Sequence, residues 1–280
     1  MKWCSCGLIA AALCLSACMG ERARSDGRDS ADKTGDSTEE IEAALGDSLS
    51  LTDEAMPKAA DELFDDFIFN FASNHRLQLE RISFPLLVNS GQKQERIERG
   101  QWQMDYFFMN QDFYTLIFDS PEQLELVKDT AISEAIVEKI FLDKSFVRQY
   151  LFSRKTGRWM LDEVRNQTLG HNHNASFLKF YQHFVADSLF QRASLASQIA
   201  FSGPDPDDDF NQIEGMITPD FWEAFAPEFP SHMLYNIVYG PQKASGTEKI
   251  LVLRGIANGL EVELTFKLLN NKWILTKLNT

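Results

Sequence analysis

The spacing F-x2-F-x3-F-x5-[LF]-Q occurs twice in this chain, and that recurrence limits the fold more than any other feature. Phe64, Phe67, Phe71, Leu77 and Gln78 return 113 positions later as Phe177, Phe180, Phe184, Phe190 and Gln191. A second set, Tyr150, Phe152, Trp159, Leu161 and Val164, returns 114 positions later as Leu264, Phe266, Trp273, Leu275 and Leu278. Sets at both ends of a unit, shifted by almost the same amount, read as duplication of one folding unit. We therefore expect two domains of matching architecture, residues 60–168 and 174–280.

Each unit opens with a helix. Leu63, Phe64, Phe67, Ile68 and Phe71 form one apolar stripe at helical spacing, and Asp61, Glu62, Asp65 and Asp66 load the first turn with acids that favour a helix N-terminus. In the second unit Phe177, Phe180, Tyr181, Phe184 and Val185 take that part, with Asn174 or Ser176 as the cap. Each unit closes in strands. Residues 249–256, 260–268 and 272–278 are rich in β-branched and aromatic side chains, and Asn258-Gly259 and Asn270-Asn271 between them accept the positive φ of tight hairpins. Their counterparts are residues 134–141, 145–154 and 158–164. Helices first and a meander last make an α+β unit, in which N-terminal helices pack on a curved antiparallel sheet. The aromatic first helix and the Trp-bearing last strand, Trp159 in one unit and Trp273 in the other, resemble the nuclear transport factor 2-like fold, also called the cystatin-like cone. That resemblance implies two tandem cone-shaped domains.

The start of the chain carries an address. Lys2 precedes the uncharged stretch 3–19, too short to cross a bilayer but suited to the core of a signal peptide. Its end, Leu15-Ser16-Ala17-Cys18, resembles the lipobox of bacterial lipoproteins. The resemblance implies that residues 1–17 are removed and that Cys18, acylated, begins the mature protein; two or more acyl chains anchor stably. All four cysteines (Cys4, Cys6, Cys14 and Cys18) lie in or at the end of this segment. Disulfides, zinc-thiolate sites and cysteine nucleophiles are thereby excluded from the folded domains. Met19 rather than Asp after the cysteine suits the outer membrane. Lipobox and tandem cones together resemble a family of uncharacterised lipoproteins from gut-type Gram-negative bacteria, to which no function attaches. The expected location is the cell envelope, on the periplasmic side or the surface of the outer membrane.

Residues 18–59 are rich in Ser, Asp, Glu and Gly and contain no aromatic side chain, so a disordered acidic tether is expected there. The formal net charge of −14 makes nucleic acid and anionic lipid poor partners, and membrane attachment falls to the acyl chains on Cys18. Triplets such as Asp29-Ser30-Ala31, Asp129-Thr130-Ala131 and Asp187-Ser188-Leu189 look like acceptors of periplasmic O-glycosylation, with ordinary acidic sequence as the plainer reading.

No G-x-S-x-G elbow, P-loop, G-x-G-x-x-G or H-E-x-x-H motif is present, so no catalytic residue, cofactor or metal is assigned. His171 and His173 lack a third ligand at a suitable spacing, and the carboxylates of residues 205–209 meet Phe210 where a calcium loop needs Gly. Asp105, Asp112 and Asp162 are the nearest candidates for an acid at the floor of a cone. Arg81, Trp102, Tyr106 and Tyr114 form a candidate ligand pocket in the first cone; Trp222, Tyr235, Tyr239 and Arg254 form one in the second. Core packing is the competing reading for both sets. Three functions stay open: non-enzymatic binding of a small molecule, glycan or protein; an isomerase or hydrolase with a buried acid; and a structural envelope assembly factor.

Overall fold

The structure is a computed structural model that describes residues 61–280 except residue 206 and residues 242–245. The signal peptide, Cys18 and nearly all of the tether lie outside the described residues. Among the described residues no helix is long and apolar enough to cross a membrane.

Helix α1 (Phe64–Ser73) buries the stripe Phe64, Phe67, Ile68 and Phe71. Its first turn carries Asp65 and Asp66, whereas Asp61 sits ahead of it. Asp61 is spent elsewhere: both its oxygens accept from the buried Arg81 guanidinium, at 2.8 and 2.7 Å, and one also accepts the Trp159 backbone N–H. Asn74 ends α1 and caps α2 (His75–Arg81) by accepting from the Leu77 backbone N–H at 3.0 Å. In the second half α3 (Ala175–Ala186) buries Phe177, Leu178, Tyr181 and Phe184. Asn174 occupies its cap position but caps nothing, because its side-chain oxygen accepts from the buried Lys249 ammonium. Ser176 accepts from the Trp273 indole instead. Helix α4 (Ser188–Ala193) is capped by Asp187, so that the Asp187-Ser188-Leu189 triplet is a helix start.

Strands β1 (Ile82–Ser90), β2 (Lys93–Ile97), β3 (Phe113–Phe118), β4 (Glu134–Phe141), β5 (Phe146–Lys155) and β6 (Arg158–Thr168) belong to the first half. The second half supplies β7 (Leu195–Asp205), β8 (Asp208–Ile217), a short helix α5 (Trp222–Phe225), β9 (Met233–Tyr239), β10 (Glu248–Gly255), β11 (Glu261–Leu269) and β12 (Lys272–Asn279). The β5–β6 turn uses Thr156 and Gly157 at φ of 49° and 80°, and the β11–β12 turn uses Asn270 and Asn271 at 51° and 61°. Positive φ at both central positions is what a two-residue hairpin of this hand requires.

All these strands join one sheet in the order β2-β1-β6-β5-β4-β9-β3-β10-β11-β12-β7-β8. Each meander is antiparallel as expected, but three junctions are parallel: β1 with β6, β7 with β12, and β3 with β9. The order crosses over at its centre. Strand β9 of the second half pairs with β4 of the first along its whole length, and β3 of the first half pairs with β10 of the second. Each cone therefore borrows one strand from the other half.

The four central strands are buried on both faces. Leu116, Val137, Ile237 and Val252 join the core around α1, while Ile117, Ile140, Leu234 and Leu251 join the core around α3. Alternate residues of a strand point to opposite faces, so the two cores lie on opposite sides of the shared sheet. Strands β3 and β10 consequently read as nearly continuous apolar runs, FYTLIF and KILVL, in which Thr115 and Lys249 are the polar exceptions, without the alternation of a one-sided strand.

Candidate functional site

The mouth of the first cone is set by one buried amide. Gln78, fully buried on α2, accepts from the Trp102 indole N–H at 3.0 Å and from the Asp105 backbone N–H at 3.2 Å. It donates in turn to the carbonyls of Phe71 at 2.9 Å and Asp105 at 2.7 Å. The segment from Trp102 to Asp105 is thus latched onto the helix pair. In the second half Gln191 repeats the arrangement, accepting from the Trp222 indole at 3.0 Å and donating to the Phe184 carbonyl.

The latched segment walls a cavity of about 580 Å³ in the first cone. Its floor is the sheet: Arg148 and Tyr150 from β5, Lys139 from β4, and Tyr235 with Met233 from the borrowed β9. Lys139 sits opposite Arg148 across one pair of strands and opposite Tyr235 across the other, so the three side chains form a row on one face. The Lys139 ammonium lies 5.3 Å from the centre of the Tyr235 ring. Arg148 donates through Nε to Asn166 at 3.0 Å. Asp105 closes the wall, one carboxylate oxygen accepting the Tyr150 hydroxyl and the other accepting the Phe107 backbone N–H. Burial, then the charge of Asp105, pushes the Tyr150 hydroxyl well above the usual phenol range, so it stays protonated and donating.

The same positions on the strands of the second cone carry no charge. Lys139, Arg148 and Tyr150 correspond at the 114-residue offset to Leu253, Val262 and Leu264, all buried in the second core. Tyr235, opposite Lys139, has Thr115 as its counterpart opposite Leu253. Three residues beyond the latched tryptophan stands Asp105 in one half and Phe225 in the other. One scaffold thus carries a polar cavity floor in the first cone and, at the matching positions of the second, three buried aliphatic side chains and a buried threonine.

Of the residues expected around the first pocket, Trp102 and Tyr106 line the cavity. Arg81 does not, being held by Asp61 in the core, and neither does Tyr114, which is buried beside Asp65 and Arg254. Burial and the Asp65 charge push Tyr114 up to about 12. The set expected in a second pocket is dispersed by the strand exchange. Tyr235 lines the first cone's cavity; Tyr239 donates to Asp65 within the first core; Arg254 faces Asp65 and Glu261; and Trp222 serves the Gln191 latch. Sequence reasoning missed Lys139 and Arg148. The signal that finds them is a charge in one unit facing an apolar residue at the same offset in the other.

The remaining candidates have other employment. Asp112 is exposed ahead of β3, and Asp162 accepts from Ser83, Ser153 and Lys155 on the far face of β6. The His171–Asn174 stretch joins the halves: Asn172 donates to the buried Glu138 carboxylate at 2.6 Å, and the His173 ring lies 3.2 Å from Asp119. Asp205 and Asp208 pair across the β7–β8 turn. Among the described residues no group of three or more His, Cys, Asp or Glu side chains is placed to hold a metal ion.

Comparison with known proteins agrees with this geometry. A family model described as a domain of unknown function (DUF4348) matches residues 44–280. The crystal structure of an NTF2-like protein from Bacteroides fragilis shares 40% identity with a TM-score of 0.73, over 80% of this chain and 98% of that one. No curated protein matches.

Proposed function

The chain belongs to the family described as a domain of unknown function (DUF4348), and on that premise we propose that it is a lipid-anchored envelope protein whose first cone binds a small molecule without transforming it. The observation that carries the binding reading is the divergence between the cones: a cavity floored by Lys139, Arg148, Tyr150 and Tyr235 in one, and buried Leu253, Val262, Leu264 and Thr115 in the other. Polar side chains at a cavity floor cost desolvation that a core position avoids, so keeping them in one cone alone fits a ligand site. A volume near 580 Å³ suits a compact ligand.

The alternative, an enzyme relying on a buried acid, would assign the proton transfer to Asp105. Both its oxygens already accept hydrogen bonds, from Tyr150 and from the Phe107 N–H, which suits an acid that holds the wall rather than one that moves a proton. The anchor reading rests on Leu15-Ser16-Ala17-Cys18, which lies ahead of the family match at residues 44–280.

Two measurements test the proposal. Cys18→Ser should move the protein from the membrane to the soluble fraction of its own cells; continued pelleting with membranes would remove the anchor. Native mass spectrometry of the protein released from its envelope should show an added small-molecule mass that Tyr150→Leu, the residue of the second cone, removes. An adduct unchanged by that substitution would place binding elsewhere.

A further inference from the structure

We propose that the first-cone cavity takes a hydroxylated carboxylate of sugar-acid size, its carboxylate seated against Lys139 and Arg148; the inference rests on reading that cavity as a small-molecule site. Lys139 and Arg148 are direct cross-strand partners on the same face of the sheet. Like charges placed so oppose each other, and a pair of this kind is favoured only where something negative sits between or above them. Among the described residues no carboxylate forms an ion pair with either cation, in a chain whose formal net charge is −14. Arg148 spends Nε on Asn166, and the forked end of its guanidinium presents the two parallel donors that match a planar carboxylate. Asp105 lines the same cavity but forms no ion pair with either cation, its oxygens facing the Tyr150 hydroxyl and the Phe107 N–H instead.

The rest of the cavity selects the body of the ligand. Gln101, Gln103, Asn110 and Gln111 edge it with four exposed amides, of which Gln101 accepts from the Glu98 N–H and Gln111 donates to the Asn110 carbonyl; the donors and acceptors that remain match the chemistry of a hydroxyl. Trp102 and Tyr106 add aromatic surface for the apolar faces of a ring. A neutral sugar would leave the two cations without a counter-charge, and an unsubstituted aromatic acid would offer the amides no hydroxyl to bind.

Isothermal titration of the full-length protein with glucuronate, glucose and benzoate tests this directly. Glucuronate is expected to bind at least tenfold more tightly than either of the others. Lys139→Leu combined with Arg148→Val, the residues that already pack at these positions in the second cone, should weaken glucuronate at least tenfold and abolish its preference over glucose. Glucose or benzoate binding as well as glucuronate to the native protein overturns the ligand class while leaving a small-molecule cavity in place. Binding of none of the three sinks the cavity reading itself. Because this ranking is read on the native protein, it decides the matter even where the double variant folds poorly.

Discussion

Glu138 has no solvent exposure, and three amides compensate for it: Gln149 and Asn172 donate to one oxygen, Asn236 to the other. These donors come from β5, the connection between the halves, and β9, so one carboxylate ties three separated segments. Glu138→Leu should cost several kcal/mol, since each stranded donor costs about 1–3 kcal/mol. Glu138→Gln should cost roughly 1 kcal/mol or less, because the Asn236 oxygen is otherwise without a partner and its amide can turn to accept. Urea melts of the two variants check the order, and equal losses would contradict it. Asp119 brings a dependence on pH. Partial burial pushes its carboxyl up, but the Lys249 ammonium, the Gly246 N–H and the His173 ring outweigh that and hold it below the ordinary carboxylate range. A depressed folded value adds stability above the unfolded value near 3.8 that is lost as pH falls through the folded one. The loss of melting temperature between pH 5 and pH 2.5 should therefore be smaller in Asp119→Asn than in the native protein. At this scale the sequence is legible where side chains repeat. The Phe stripes were readable because helical spacing alone makes them core, whereas the partners of Gln78 and Glu138 are backbone and amide groups that only the folded chain assembles.

At the scale of elements, both meanders and both leading helices could be read from periodicity and turn chemistry. Strand β12 starts where the alternation starts, β4 starts at Glu134 as expected, and the Asn270-Asn271 turn falls where its φ demands. Strands β1, β2, β7 and β8 were not expected, and β3 and β9 escaped too, with Tyr114, Tyr235 and Tyr239 assigned to pockets instead. For β3 and β9 the reason is physical: a strand covered on both faces loses its alternation, and the seven residues of β9, apolar but for Asn236, carry no period to identify it. The candidate site was half legible for the same reason, since Trp102 and Tyr106 stand on a loop near their helix while Tyr235 arrives on a borrowed strand. Ile237 exposes the consequence. It belongs to the second half in sequence but is 1% exposed in the core around α1. Ile237→Ala should destabilise by about 2–5 kcal/mol, the usual cost of emptying a buried aliphatic site. Hydrogen exchange should show the lost protection first in β4 and β5, of the first half, and loss confined to β11 and β12 would contradict the pairing.

The exchange of β3 and β9 makes the two halves of residues 61–280 dependent on each other. In isolation, residues 60–168 would leave β4 with an unpaired edge and an apolar face stripped of Ile237 and Tyr239, the kind of edge that recruits another chain. Residues 174–280 would likewise lose the partner of β10. Within one chain the borrowed strands cost little, because a linked pair meets at an effective concentration on the order of millimolar. The single His171–Asn174 connection holds both halves to the shared sheet, through Asn172 on Glu138 and Asn174 on Lys249. Each half produced alone should therefore associate with itself or fail to melt cooperatively, and mixing the two should restore a one-to-one complex with a single sharp transition. Size-exclusion chromatography and circular dichroism measure both outcomes. The informative contrary result is a monomeric, cooperatively melting 60–168 fragment. It would mean that β3 can fold back onto its own β4, so that exchange is a choice made by the linked chain and each cone is sufficient in itself.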